Sequence, residues 1–383
     1  MNTHVVKTEK MVFGGSCIAY MDGAAVFIPY SLPQETLEIS IVKKHKNYFE
    51  ARAEKILERS KYRIEPPCRF FYSCGGCNLQ FADNEYQKAL RYAAAVEAFE
   101  RAAKLKNGKD YECTFVSCSD WEYRSRFQFH ISAAKKFAQK MQNSNALVEI
   151  DDCPVAVPEI RKLLNSGTKN FYGGQRLHIF ASHGKIFTEQ NASECFTEIL
   201  GRKIAFNPLG FFQSNIKMTE KVITAILQDS VPNGRVLDFY SGVGTFSIFA
   251  ADYAKEIHLV EHNKHALSYA KMNFTQFNFS GKKSAEIFYH AINGENWIKT
   301  ESSKLKFDYA FVDPPRSGID KISLEWFCRA RISYLWYISC DPVSFARDMA
   351  VLLSAGYKIQ RYYIFDFYPQ THHVETVCLL AYG

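Results

Sequence analysis

The sequence predicts an α/β protein: a doubly wound, mostly parallel sheet in the C-terminal half, preceded by a small β-barrel of the OB type and a strand-rich middle. Three observations carry this. From about residue 206, short apolar runs alternate with helical stretches, the pattern of strand–helix–strand units. Residues 1–60 are instead β-branched runs broken by Gly14-Gly15, Asp22-Gly23 and Pro33. The 383 residues suffice for two or three domains at roughly 150 residues each. The boundaries expected are 1–60, 61–205 and 206–383.

Composition narrows the class. Hydrophobic residues make up 47% and charged residues 23%, the balance of a folded globular chain. No apolar run approaches the roughly 18 residues of a membrane helix, and MNTHVVKTEK lacks the apolar core of a secretory signal. A cytoplasmic protein without a membrane partner is expected, and no protein partner is predicted. The net charge of +7 is compatible with nucleic acid but does not demand it. Eleven cysteines in a reducing compartment read as metal ligands or catalytic groups where clustered, and as small buried hydrophobes elsewhere.

In the N-terminal segment, Met11 to Ala19, Ala24 to Ile28 and Leu37 to Val42 read as strands, with Asp22-Gly23 as a hairpin turn. The run Phe49 to Leu57 is open between strand and helix. After Pro66-Pro67 come Cys68, Cys74 and Cys77. Asp83 to Lys106 then reads as a helix with Asp83 as N-cap and Gly108 beyond its end. Helix 83–107 is expected to pack on the C-terminal domain. Tyr123 to Ser132 alternates, placing Arg124, Arg126, Gln128 and His130 on one face and Phe127, Phe129 and Ile131 on the other. Between Tyr123 and Val148 lie five basic residues and no acidic one, interleaved with phenylalanines, a composition suited to RNA. Lys43, Lys44 and Lys46 form a second basic cluster.

The strands expected in the C-terminal half are Arg235 to Phe239, Ile257 to Glu261, Glu286 to Tyr289, Tyr309 to Val312, Tyr334 to Ser339, Tyr357 to Phe365 and Val374 to Ala381. The first ends at Asp238 and Phe239 and runs into Ser241-Gly242-Val243-Gly244, a tight turn expected to open a helix near Thr245. Glu261 closes the next strand, where an acidic residue binds ribose hydroxyls in doubly wound sheets. A nucleoside-containing cofactor is therefore expected, a nicotinamide dinucleotide or S-adenosylmethionine. The dinucleotide fingerprint wants a third glycine where this chain has Ser247, which favours the methyl donor. Asp313-Pro314-Pro315-Arg316 follows a later strand, a segment of the type that lies over a planar base.

Cys340 ends another strand, with Asp341 as N-cap and Pro342 as first residue of the next helix. A helix N-terminus stabilises a thiolate, so a lowered thiol pKa is expected. Glu375, beside His372 and His373 at the start of the last strand, is the candidate general base.

These motifs together resemble the RNA uracil-5 methyltransferase family, and the resemblance covers nearly the whole chain. It rests, in order, on a glycine-flanked β domain similar to a TRAM domain, PPCRFFYSCGGCNLQ from Pro66, DCPV from Asp152, GFFQSN from Gly210, LDFYSGVGTF, VDPPRSG, YISCDP and HHVETV. The members most similar are the bacterial 23S ribosomal RNA enzymes with a TRAM domain and an iron–sulfur site. The resemblance implies a class I, Rossmann-like methyltransferase domain, with Cys340 as nucleophile and Glu375 as the base that removes the proton from uracil carbon 5. Gln213, Tyr240, Glu261 and Asp313 match S-adenosylmethionine-contacting positions, with Gln213 and Asp313 also near the target base. Phe211 would stack on that base, and Arg124 or Arg126 would hold the flipped nucleotide. The chain departs from the family at Asp341, where Asn is common, and at Ser241, where Cys is common; neither removes a group the chemistry needs.

That chemistry is self-consistent. Uracil carbon 5 becomes nucleophilic only after a thiolate adds at carbon 6, and a stacked base must be flipped to be reached. Cys68, Cys74 and Cys77 would need a distant fourth ligand. Their spacing alone suits an iron–sulfur cluster or zinc; the resemblance supplies Cys153 as the fourth ligand and implies a 4Fe–4S cluster in a strand-rich central domain. The function expected is methylation of a specific uridine in 23S ribosomal RNA. Transfer RNA uracil-5 methylation and a catalytically inactive iron–sulfur RNA-binding protein are the alternatives.

Overall fold

A computed structural model describes residues 3–168, 171, 176–276 and 285–383. The first sheet has six strands: β1 (Thr3–Lys7), β2 (Lys10–Met11), β3 (Cys17–Met21), β4 (Ala24–Ile28), β5 (Thr36–Lys44) and β6 (Tyr48–Glu58), in the order β1-β5-β6-β4-β3-β2. The undecided run at 49–57 is strand. Asp22 and Gly23 both have positive φ, 51° and 78°, and join the paired Met21 and Ala24 in the two-residue hairpin the sequence indicates.

The five-stranded closed barrel expected here is not formed among the described residues. The ladder stays open: β1 and β3 pack through Val6 and Ala19 but share no strand pairing. The apolar ends of β2 and β3 have another partner. Met11, Cys17 and Leu32 are buried with Phe71, Leu79 and Phe81 of the following loop and Leu90 of a helix.

That helix is α1 (Asn84–Ala103), capped by the Asp83 side chain, which accepts from the Glu85 and Tyr86 amides. There follow β7 (Cys113–Val116), β8 (Arg126–Ile131), β9 (Phe137–Lys140), β10 (Leu147–Glu149), α2 (Pro158–Ser166), β11 (Arg176–Ser182) and β12 (Lys185–Thr188). Strands β10-β9-β8-β11-β12 make an antiparallel sheet, and β13 (Cys195–Ile199) pairs with β14 (Arg202–Phe206) as a hairpin. Along β8, Phe127, Phe129 and Ile131 are buried while Gln128 is exposed, as the alternation requires.

The large sheet follows α3 (Ile216–Asp229). It is built from β15 (Gly234–Phe239), α4 (Ser247–Ala250), β16 (Ala254–Val260), α5 (Lys264–Gln276), β17 (Glu286–His290), α6 (Gly294–Trp297), β18 (Tyr309–Val312), α7 (Lys321–Ala330), β19 (Tyr334–Ser339), α8 (Pro342–Ser354), β20 (Tyr357–Phe365) and β21 (Glu375–Tyr382). The order is β17-β16-β15-β18-β19-β21-β20-β7, parallel except where β21 runs against both neighbours. Its strands are continuously apolar because both faces are covered. Val236, Phe311 and Trp336 point to one buried layer, and Leu237, Ala310 and Tyr337 to the other.

Strand β7 comes from the middle of the chain and closes the edge beside β20. Helix α1 belongs to the same body: Phe99 packs against Phe345 of α8 and Tyr362 of β20 at 5.7 and 5.0 Å. Arg91 forms a fully buried bidentate pair with Asp366, so residues 84–116 are fastened to the large sheet. Breaking a buried pair by removing one partner costs about 3–5 kcal/mol, because it strands the other charge. Arg91→Ala is expected to lose that much in a denaturant-unfolding measurement; a change within experimental error would show that the pair does not hold this layer.

Candidate active site

The strand order reverses at β15, with β16 on one side and β18 on the other. Ligands of doubly wound sheets bind at the carboxyl ends of the strands at such a point. A cleft of about 1360 Å³ opens there and runs from the glycine loop and Glu261, past Asp313, Cys340 and Glu375, to the cysteine loop. All ten residues assigned from sequence line it: Gln213, Tyr240, Glu261, Asp313, Cys340 and Glu375, and the four cysteines 68, 74, 77 and 153.

At the glycine-loop end, Tyr240 takes φ +70°, an unusual conformation for a residue with a side chain and a common one at functional sites. The Glu261 carboxylate accepts from the Gly242 amide at 3.0 Å and from the Asn263 amide at 2.7 Å, which fixes both the loop and the acidic group expected to meet a ribose. Helix α4 begins at Ser247, two residues later than expected, because residues 242–246 form turns. Burial pushes Asp238 up to about 7, Ser247 opposing and the Glu261 charge assisting. Asp313 is likewise pushed up to about 7 by burial and the Asp238 charge.

The central part depends on strand direction. Because β21 is antiparallel to β19, its first residues lie at the carboxyl end of β19; Thr376 pairs with Ser339 and its hydroxyl donates to the Ser339 carbonyl at 3.1 Å. Two positions 35 residues apart, Cys340 and Glu375, therefore arrive side by side. Glu375 is buried, and burial together with the Asp313 charge holds its carboxyl well above the usual range.

The thiol expectation is overturned. Asp341 caps α8, accepting from the Val343 and Ser344 amides at 3.0 and 2.8 Å. Yet the Cys340 thiol is pushed up to about 12, by burial and then by the Glu375 and Asp313 charges. Arg316 acts in the opposite direction, with a hydrogen bond to the thiol and a charge near Glu375. No role for Arg316 was assigned from sequence, although it directly follows Asp313-Pro314-Pro315.

The loop before α3 is divided between two phenylalanines. Phe212 is buried and stacked on Phe206 at 4.0 Å, leaving Phe211 73% exposed at the cleft. Arg126 donates to the Gly210 carbonyl, and Arg124 lies over the Phe127 ring at 4.7 Å. One arginine thus braces the Phe211 loop, while the other lines the cleft wall.

The four cysteines form the opposite wall. Burial pushes Cys77 and Cys153 up to about 12. Cys74 has Cys68 as a charge neighbour, and Cys153 has both Cys74 and Cys68. The expected metal centre is not preformed: among the described residues, no set of three or more His, Cys, Asp or Glu side chains converges as ligands for an ion. No helix among them is long and apolar enough to cross a membrane.

The model of the tRNA (uracil-5-)-methyltransferase family matches residues 174–382. The chain belongs to this family. As a member of the uracil-5 methyltransferase family it is an enzyme that methylates RNA. It is similar to a Treponema denticola protein described as an uncharacterized RNA methyltransferase, with 55% identity over 98% of each chain. It is 28% identical to the 23S rRNA (uracil(1939)-C(5))-methyltransferase RlmD of Psychromonas ingrahamii over 98% of this chain and 95% of that one. The fold matches that of the Pyrococcus abyssi tRNA (uracil-54, C5)-methyltransferase solved with S-adenosyl-L-homocysteine. The TM-score is 0.73 and identity 19%, over 98% of this chain and 100% of that one.

The buried carboxyls carry a stability signature. Asp313 moves from 3.8 unfolded to about 7 folded, so the folded state holds its proton more tightly. Its contribution is complete below about pH 4 and is lost as pH rises through 7. Asp313→Asn removes that penalty. Its stability advantage over the parent should widen by roughly 2–4 kcal/mol from pH 4 to pH 8, read from unfolding curves across pH; a constant difference would contradict the raised carboxyl.

Proposed function

We propose that this enzyme transfers a methyl group from S-adenosylmethionine to carbon 5 of a uridine in 23S ribosomal RNA, through a covalent bond between Cys340 and uracil carbon 6. The observation that carries the reading is the adjacency of Cys340 and Glu375 in one cleft with the glycine loop and Glu261. The cleft's volume exceeds the 300–1,000 Å³ typical of a single small-ligand site, as two ligands meeting in it require.

S-adenosylmethionine supplies a methyl group on a positively charged sulfur. Asp238, Glu261, Asp313 and Glu375 suit a cation with a ribose, and Gln213 and Tyr240 complete the pocket. Phe211 stacks on the flipped base, with Arg124 holding its nucleotide. The Cys340 thiolate, supported by Arg316, adds to carbon 6 and moves the electron pair to the carbon 4 oxygen. The resulting enolate makes carbon 5 the nucleophile. After methyl transfer, Glu375 takes the carbon 5 proton, the carbon 6–sulfur bond breaks, and Cys340 leaves as thiolate with the 5,6-double bond restored. Glu375 must be ionised for its step, and the Arg316 charge favours that form.

In this reading residues 1–60 are a TRAM-like RNA-binding domain despite their open sheet, with Lys43, Lys44 and Lys46 on phosphates. Residues 61–205 are an iron–sulfur domain, except that α1 and β7 belong to the body of the large sheet, and 206–383 are the methyltransferase domain, working on RNA in the cytoplasm. Cys68, Cys74, Cys77 and Cys153 fit a 4Fe–4S cluster as a donor set: four thiols sharing one wall, with chemistry suited to iron and sulfide. Ribosomal rather than transfer RNA is favoured by likeness to the 23S enzyme over nearly the whole chain.

Two experiments test this. 5-Methyluridine is mapped in ribosomal and transfer RNA from a strain lacking the protein, complemented with the parent or Cys340→Ala. The parent should restore one ribosomal site. Cys340→Ala should fall on the order of 10⁴–10⁶-fold in rate while still binding S-adenosylmethionine; full restoration by it would refute the nucleophile. Anaerobically purified protein should contain iron and absorb broadly near ~400 nm through thiolate-bound iron, and absence of both would remove the cluster.

A further inference from the structure

The segment that delivers Glu375 is held by the cysteine loop. Residues 366–374 link β20 to β21, and Gln370 adopts φ +71° while fully buried. The Asn78 and Leu79 amides, directly after Cys77, both donate to the Gln370 carbonyl, at 3.1 and 3.0 Å. The Asn78 side chain closes a second pair: its oxygen accepts from the His372 amide at 3.0 Å and its nitrogen lies 2.8 Å from His372 Nδ1. Gln370 is pinned further by Gln87 and Asn84, each at 3.0 Å.

The N-terminal sheet reaches the same point. A Cβ on Gly15 would lie 2.7 Å from the Asn78 nitrogen and 3.2 Å from His372 Cβ, and the Phe13 ring meets His372 edge-on at 5.5 Å. Three segments remote in sequence thus lock one turn. His373, packed 3.9 Å from His372, lines the cleft, and Glu375 follows two residues later.

We infer that Asn78 is a positioning residue for Glu375, coupling the cysteine loop to the placement of the base through His372. The inference rests on the reading of Glu375 as the group that takes the carbon 5 proton. It has a specific consequence. If only the base is displaced, thiolate addition and methyl transfer proceed, but the carbon 5 proton stays and the carbon 6–sulfur bond does not break. The methylated uracil then remains attached to Cys340.

The test uses full-length protein, unmodified RNA from a strain lacking it, and S-adenosylmethionine labelled in the methyl group. Denaturing gels read the labelled protein–RNA adduct, and nucleoside analysis reads released 5-methyluridine. Asn78→Ala is expected to accumulate labelled adduct while product release falls roughly 10–100-fold. Asn78→Asp, which keeps the acceptor for the His372 amide, should recover part of the rate. Gly15→Ala attacks the same lock from the other side and decides the matter if Asn78→Ala does not fold. Adduct and product falling together, or unchanged turnover, would overturn the inference when Glu375→Gln itself accumulates labelled adduct. Failure of Glu375→Gln to do so would instead sink the role of Glu375, and the inference with it.

Discussion

The burial of acidic groups in and beneath one cleft is the constraint on which the rest of the structure depends. Asp238, Asp313 and Glu375 each sit where burial disfavours charge, and Asp238 and Asp313 worsen each other or their neighbours. An opposite charge brought to this cleft would act against that shift, because it favours the carboxylate form. The same field explains the thiol. Cys340 is raised to about 12, by burial first and then by the Glu375 and Asp313 charges, while Arg316 acts against them.

Placing these groups together required the sheet to change direction. In an all-parallel sheet the residue starting the last strand would lie at the opposite end from Cys340. The antiparallel insertion of β21 between β19 and β20 brings the start of one strand to the end of another. The cost is a longer excursion, residues 366–374, whose backbone must be held without a sheet partner. Asp366 fastens its beginning through Arg91, and Asn78 fastens its end. Helix α1 and the edge strand β7 are therefore part of how the cleft is held, although they precede β15 by more than a hundred residues.

Much of this was legible in the sequence. The strands at Tyr309, Tyr334 and Tyr357 begin where the apolar runs predict, and Asp83 and Asp341 cap their helices, because these signals are local: period, cap and turn chemistry. Tyr240, Glu261, Asp313 and Cys340 share one cleft for a related reason, since each follows a parallel strand and strand ends in a doubly wound sheet converge by topology. What was not legible depended on contacts between remote segments. The open N-terminal ladder arises because Met11 and Cys17 bury against Phe71 and Leu90, a preference no strand pattern encodes. The raised Cys340 thiol follows first from its burial and then from Glu375 and Asp313 standing beside it, while the capping signal alone indicated the opposite sign. Arg316 was visible as a letter after two prolines, but its bearing on the thiol needed the fold.

The cysteine wall brings these points together. Its thiols are partly buried, and no ion-sized ligand set is assembled among the described residues. A group that bound four thiolates there would need to displace their protons and draw the loop inward. Gly75 limits how far that loop can shift, since a Cβ there would meet the Gln142 amide and Lys140 carbonyl at 3.1 Å, and the Gly75 amide itself donates to Lys140. The loop is therefore tethered on one side to the β9–β10 hairpin and on the other, through Asn78, to the turn before Glu375. Movement at the thiols must be taken up at one of these two attachments. The hairpin belongs to the smaller sheet and has exposed residues at its tip, whereas the turn is packed between α1 and the N-terminal sheet.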